Sequence, residues 1–561
     1  MKFIKKFYLN IGILLLITAL SFPAFKALTK PGLITGHDTQ GHFIRLVEFD
    51  RAIKDGHFPV RWSKRLNWGL GYPYFNFAYP LPYYIEEVFV LVGLDYLTSF
   101  KLIFILSFPL GWFFMFIWLR KHFSLMSSFI AGAFYTYVPY HFLNVYVRGA
   151  IGEVVAMTLL PLAFYSLERL LEKVTALRIV LLGLSIGAIV TSHNISAMIF
   201  MPLLFIYGLC QLYKQKHLIE VKFLSLSFCY AASITAFFWV PAITEESLTK
   251  VGEVIYPYFL KHYPSLQSLL YSPWGFGGSK VGIIHGEMSF QIGLAHISVV
   301  IACLVWLVPF GRRKKRGVGL LFALGVLLTM GALFMMQPIS SSVVNTLTPL
   351  KFIQFPWRLL MVIVFASSLL SACLLEIKFI QRLIRGKQIF IAIAALGVLL
   401  FLNRNHWKVN EYYSPPAYFF DDRAIDTTTT LAHEHAPKWQ NTNVWQSSLR
   451  FQIKDGSGLV QNTVWKTSYH EFSSSSSRSL LLTDRTVYYP GWEVYIDGVK
   501  TKTLDPWDPV TEGLITFEVP SGAHTIGVRF GETPLRFASN MFSLAALVLS
   551  LGVFFKFRKA K

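Results

Sequence analysis

Runs of about 18 to 20 apolar residues recur along this chain, and each is long enough to cross a bilayer as a helix. No other feature narrows the folding problem as much. Composition agrees: 54% of the 561 residues are hydrophobic and 15% charged, with a mean hydropathy of +0.48, where a soluble chain carries roughly a quarter charged residues. The sequence is that of an integral, polytopic α-helical membrane protein.

Spans are expected near 7–25, 98–119, 125–143, 153–170, 177–192, 196–213, 222–242, 293–310, 317–336, 357–375, 388–403 and 538–556, about 12 in all. The stretch LPYYIEEVFVLVGL (81–94) is apolar but short, and helices of about 14 residues are more often interfacial than spanning. Charge decides its treatment. The net charge of +21 is concentrated in short connectors around Lys5, Arg120, Lys121, Arg169, Lys173, Arg178, Lys214, Arg382 and Arg385, in the run Arg312 to Arg316, and in the tail KFRKAK. Short basic loops mark the cytoplasmic side. If 81–94 does not cross, all of them fall on one side with both termini cytoplasmic. The positive charge therefore reads as topology beside anionic lipid, and nucleic acid is not an expected partner.

Cys210, Cys229, Cys303 and Cys373 all lie inside apolar runs, so no disulfide framework is expected. The basic, apolar N-terminus is read as a retained first span. The organisation that follows is a transmembrane domain over 1–403 with a first outer loop at 26–97, an extracytoplasmic β-rich domain over 404–537, and a final helix with a basic cytoplasmic tail over 538–561. In the β-rich part, RTVYYPGWEVYIDGVKTKTL alternates apolar residues up to an Asp-Gly turn at Asp497 and Gly498. GLITFEVPSGAHTIGVRF supplies two more strands around a Ser-Gly turn. A small β-sandwich is the expected form.

Polar residues with chemical potential gather in a few places. The stretch PGLITGHDTQGHFIRLVEFDRAIKDGHFPVRW carries three histidines and three aspartates beside the first span. Asp38 precedes a loosely helical apolar pattern ending at Gly56. It suits either a helix N-cap, a role aspartate often fills, or a general base at the membrane surface. His37 and His42 flank it at a spacing that is not a standard metal set, and the His433/His435 pair reads as solvated loop histidines. In YVPYHFLNVYVRGAIGEVVA, Arg148 and Glu153 suit a hairpin-fixing ion pair, with anion binding by Arg148 as the alternative. The turn TSHN places His193 between two helices, as an ordinary turn residue or a ligand contact. In TPLKFIQFPWRLL, Lys351 and Arg358 suit snorkelling to headgroups or phosphate binding. P-loop, GxSxG and HExxH patterns are missing, so the chemistry attached to them lacks support.

An acidic residue in the first outer loop (Asp38), the segment GYPYFNFAYPLPYY (71–84) and the basic turn LRKH (119–122) resemble the GT-C polytopic glycosyltransferases. More closely, RGAIGE, SHN, FPWR and YYPGWEVYIDG…VPSGAHTI resemble the pyruvoyl-tetrahydropterin-synthase-related membrane-protein family over nearly the whole chain. The resemblance implies a sugar transferred from a polyprenyl-phosphate donor to a glycan, lipid or protein acceptor on the outer face of a bacterial cytoplasmic membrane. It carries over Asp38 as the catalytic base; Arg148 and Arg358 are the candidates for meeting the departing phosphate, and His37, Glu153 and His193 are further candidate substrate-binding residues. No cofactor is expected as certain. Because a DxD-type acidic pair is missing, a divalent metal stays open. A non-catalytic transporter or a scaffold for envelope-polymer assembly is the alternative.

Overall fold

The computed structural model describes residues 2–255, 257–310, 318–425, 433–441 and 449–559; the basic run Arg312 to Arg316 lies outside the described residues. Six helices are long and apolar enough to cross a membrane: Tyr8–Thr29, Tyr96–Leu119, Ile151–Glu172, Asn194–Gln215, Pro356–Leu375 and Pro534–Gly552. Two helix pairs pass the same test only together. Leu218–Ile234 with Ala236–Thr244 is bent by 73°, and Gly319–Met335 with Pro338–Thr346 by 88°. Among the described residues the chain is thus a multi-pass membrane protein with six to eight candidate spans.

Four apolar helices are shorter, at Leu125–Thr136, Ala176–Val190, Leu294–Val305 and Gln388–Asn403. The first shows why the expected span 125–143 is not one helix. Pro139 disfavours helical backbone at Val138, which is extended (φ −128°, ψ 141°). The chain restarts as a single turn, Pro139–Phe142, and continues as a π-helical turn, Leu143–Arg148, that ends at Gly149 with φ +67°. Residues 81–94 form an 11-residue helix, Leu81–Leu91. At 1.5 Å per residue it is about 16 Å long, half the roughly 30 Å of a hydrocarbon core.

The Tyr96–Leu119 helix orients the bundle. At its N-terminal end the Tyr96 hydroxyl donates to Asp50 in the first loop. Beyond its other end, Lys121 pairs with Glu172, His122 meets Glu168 at 3.0 Å, and the Ser124 amide donates to Glu376 at 2.8 Å. These basic connectors therefore sit at the end of the bundle opposite the first loop.

That loop is a built layer. Its helix, Thr39–Lys54, is held through a buried Glu48–Arg65 pair at 2.5 Å. Arg65 also donates to the carbonyls of Tyr418, Phe419 and Asp421. A two-residue antiparallel pairing of β1 (Leu33–Ile34) with β2 (Tyr412–Tyr413) ties the loop to the start of the C-terminal region.

The C-terminal region forms two antiparallel sheets. Strands β3 (Phe451–Asp455), β4 (Leu459–Trp465), β5 (Tyr469–Ser476), β6 (Leu480–Val487), β7 (Trp492–Ile496), β8 (Val499–Thr501), β9 (Leu514–Val519) and β10 (Gly522–Phe530) are arranged as β4-β5-β10-β7-β8 and β3-β6-β9. The β7–β8 hairpin turns on Asp497 (φ +50°) and Gly498 (φ +82°), the positive-φ pair that a two-residue hairpin requires. The Ser-Gly turn does something else: β9 pairs with β6 while β10 pairs with β5 and β7, so this turn carries the chain between sheets. One apolar cluster joins both sheets through Phe472, Leu482, Val494, Phe517 and Val528, and it includes Trp62, Leu70 and Phe77 of the first loop. The Trp62 ring lies 5.6 Å from Trp492, edge to face, and 5.3 Å from Phe530.

A buried charged junction completes this union. Glu245, at the end of the first bent helix pair, accepts from Arg536 twice (2.8 and 2.6 Å), from Tyr489 at 3.0 Å and from Asn76 at 2.8 Å. Arg61 of the first loop pairs with Glu532 at 2.7 Å and donates to Asn540 at 2.8 Å. The loop, the strands and the last helix are thereby one layer.

Candidate functional site

Four chain segments meet beneath this layer. The amides of His37 and Asp38 donate to the carbonyls of Val147 (2.9 Å) and Arg148 (2.7 Å), laying the first-loop turn along the π-helical turn. The approach is close enough to exclude a side chain at Gly149, where an added Cβ would stand 2.2 Å from Thr39 Oγ1. Gly152 is equally confined, by the Tyr79 ring at 2.3 Å and the Ser192 carbonyl at 2.6 Å. This brings the 191–193 turn and Tyr79 to the same place. The fourth segment, Phe355–Arg358, arrives from the second bent pair, and Trp357 lies under Arg148 with the guanidinium 4.8 Å from its ring centroid.

Asp38 occupies the N-cap position of Thr39–Lys54 but does not cap it. Its backbone is at φ −108°, ψ −6°, and its side chain accepts no hydrogen bond from the first turn. A capping residue needs extended backbone to fold its oxygen back over the helix; here that geometry is given up. The carboxylate is half-buried and faces Tyr79, Tyr74, Arg148 and Arg358 electrostatically. No ion pair joins it to either arginine among the described residues.

Arg148 does pair with Glu153, at 2.8 Å, as the hairpin reading expects. Glu153 is fully used: Tyr140 and Asn144 donate to its other oxygen. Arg148 is not. Its Nη1 makes the bonds to Glu153 and to Asn144, and no hydrogen bond of Nε or Nη2 is made among the described residues. Burial works against the Arg148 charge, but Glu153, Tyr140 and Asp38 outweigh it and hold the pKa above that of an ordinary arginine.

Arg358 is the opposite case. It does not snorkel outward; its charged neighbours are Arg148, Glu153 and Asp38. Among the described residues its guanidinium makes one hydrogen bond, Nη1 to the Ile353 carbonyl at 3.3 Å, lies 5.3 Å from the Phe355 ring centroid, and leaves its enclosed Nε without a partner. His193 caps the Asn194–Gln215 helix, its Nδ1 accepting from the Ser196 amide at 3.2 Å. Burial pushes its pKa down to about 3, Glu153 opposing and the two arginines adding to the fall. It is neutral at ordinary pH. With Nδ1 accepting, the proton sits on Nε2 and makes it a donor.

His37 is exposed, and its Nε2 contacts the carbonyls of Phe276 (3.2 Å) and Gly277 (2.9 Å). Trp357 Nε1 donates to Ser279 at 2.9 Å, so His37 and Trp357 together tether the 276–279 loop. His435 is not a solvated loop residue; it stacks on Phe77 (5.1 Å, 4°), and burial lowers its pKa to about 3. Among the described residues, no group of three or more His, Cys, Asp or Glu side chains is placed to hold a metal ion.

Residue-level reading missed Arg45 and Tyr79. Arg45 lies 4.0 Å over the Tyr74 ring and donates to its hydroxyl at 2.9 Å. The signal was available, since Asp38, His42 and Arg45 recur at i, i+4 and i+7, one face of a helix. Tyr79 gave no signal, because its place depends on a contact with the distant Gly152.

The family is decided by the middle of the chain. A profile for the 6-pyruvoyl-tetrahydropterin synthase related domain, described as a membrane protein, matches residues 75–405. The chain belongs to this family. The match contains Arg148, Glu153, His193 and Arg358 and begins downstream of His37 and Asp38. An uncharacterized protein of Lactococcus lactis subsp. cremoris (strain MG1363) is 24% identical over 252 residues, which cover 43% of this chain and 40% of that protein. The chain thus matches well under half the length of this curated relative.

Proposed function

We propose that this member of the family is a membrane glycosyltransferase, moving a sugar from a polyprenyl-phosphate donor to an envelope acceptor on the outer face of a bacterial cytoplasmic membrane. The observation that carries the reading is a charge separation. Among the described residues neither the Asp38 carboxylate nor the Arg358 guanidinium is in an ion pair, although each is a charged neighbour of the other beneath the loop layer. Ionisable groups near membrane depth that stay out of an ion pair are candidates for a functional site, and this arrangement supports the reading. In the reaction, Asp38 takes the proton of an acceptor hydroxyl and that oxygen attacks the anomeric carbon. The bond from this carbon to the phosphate oxygen breaks, with inversion. The departing phosphate takes the electron pair and is met by Arg358, by the unused donors of Arg148 and by His193 Nε2–H.

The wider reading accompanies it. Twelve segments cross, the four short apolar helices and the two bent pairs included, with both termini and the basic end cytoplasmic. The two sheets then form a sandwich on the outer face. A non-catalytic transporter or assembly scaffold is the second reading, favoured by the two bent helix pairs, since transporters use discontinuous helices. Purified full-length protein given polyprenyl-phosphate sugars and an acceptor pool separates them. Asp38→Asn should insert and fold normally while transfer falls about 100-fold or more. Transfer at the wild-type rate in that variant refutes the assignment.

A further inference from the structure

The strand region carries a cleft that the transfer reaction does not use. It has a volume of about 830 Å³ and is lined by Tyr488, Lys502, Asp505 and Glu518 among others. That is the size range of sites for small ligands. Its floor is fixed: the Leu504 amide donates to the Thr516 carbonyl at 2.8 Å, anchoring the segment after β8 to β9. The next turn is held by side chains, with Asp505 accepting from the Trp507 amide at 3.0 Å and Asp508 from the Val510 amide at 2.9 Å.

This well-held turn leaves Trp507 63% exposed. Its indole is 5.9 Å from the Trp439 ring, which lies 6.2 Å from Tyr488 and donates Nε1 to the Tyr488 carbonyl at 2.8 Å. Three aromatic rings therefore run in a row from the solvent to the cleft wall. The exposed Trp507 ring extends the aromatic row of Tyr488 and Trp439 into solvent on a turn fixed by side-chain hydrogen bonds. We infer that this cleft binds a neutral glycan. Sugar rings present C–H faces that pack on aromatic rings and hydroxyls that bond to carboxylates and ammonium groups; Tyr488 lines the cleft with Asp505, Glu518 and Lys502, and Trp439 and Trp507 continue the aromatic row from its wall to the solvent. The two carboxylates outnumber the one lysine, so phosphate- or uronate-rich polymers are repelled.

The inference is independent of the transferase reading, and binding is measured without turnover. Full-length protein in nanodiscs, free of sugar-based detergent, is titrated with neutral gluco-, galacto- and N-acetylhexosamine oligosaccharides, a heparin oligosaccharide and anionic-lipid vesicles. Saturation-transfer NMR and calorimetry give the readout. At least one neutral series binds, Trp507→Ala weakens it about tenfold or more, Glu518→Gln weakens it less, and Asp38→Asn leaves it unchanged. The inference is overturned if no neutral series binds, if Trp507→Ala binds equally well, if heparin is preferred, or if Trp507 governs attachment to vesicles instead.

Discussion

Two buried clusters of arginine and acid, the junction in the loop layer and the site beneath it, are built differently. At the junction, Glu245 has Arg536 as counter-ion and accepts four hydrogen bonds, while Arg61 has Glu532. At the site, Arg148 and Glu153 form a comparable pair, but Asp38 and Arg358 stand beside it without an ion pair among the described residues. Composition does not distinguish the two. What distinguishes them is whether each charge is answered within the fold. An answered charge fastens elements together, whereas an unanswered one costs stability and, on the proposed function, is there to meet substrate.

The largest expected effect falls at the junction. Arg536→Met leaves Glu245 enclosed without its counter-ion, a loss of about 3 to 5 kcal/mol, read as a lowered thermal midpoint or as aggregation on size-exclusion chromatography. Arg358→Met should do the reverse at the site. Removing an unmatched guanidinium leaves the midpoint level or raised, while donor binding weakens about ten- to hundredfold, the scale of a hydrogen bond to a charged group. If Arg358→Met destabilises as much as Arg536→Met, the distinction between the clusters fails.

The smallest effect is a pH dependence common to both clusters. His57, whose Nε2 accepts from the Arg61 amide at 3.0 Å, and His193 each have a pKa lowered by burial to about 3, from an ordinary 6.5. Between these values the unfolded chain binds more protons, so stability rises with pH there and is lost as pH falls below 6.5. Each histidine contributes about 2 kcal/mol between about pH 6.5 and 5. His57→Gln should flatten the fall of the thermal midpoint over this window; an unchanged slope would separate His57 from the junction.

Much of this was legible. Apolar runs located the helices, and the Asp497–Gly498 pair located a hairpin with its turn type, because both are local signals. The Arg148–Glu153 pair was readable for the same reason, being five residues apart. What escaped depends on distant chain. Trp62 looks like one more aromatic residue of a polar loop until strands more than 400 positions later supply Trp492 and Phe530 around it. Glu245 and Arg536 lie 291 residues apart, and nothing near either one names the other. The break after Thr136 was underread: an apolar run to residue 143 masked the effect of Pro139 on the residue before it.

That long-range packing also dictates an order of events during synthesis. Trp62, Leu70 and Phe77 leave the ribosome early, while the partners that enclose them are encoded about 400 residues later. At about 5 to 20 residues per second, the wait is roughly 20 to 80 s. For that interval a tryptophan-bearing loop stands beside the membrane without its core, and the site beneath it has no roof. A nascent chain stalled before the strands therefore lacks the partners that enclose this part of the first loop. The last strand to emerge, β10, carries Phe530 and closes the core that the first loop began.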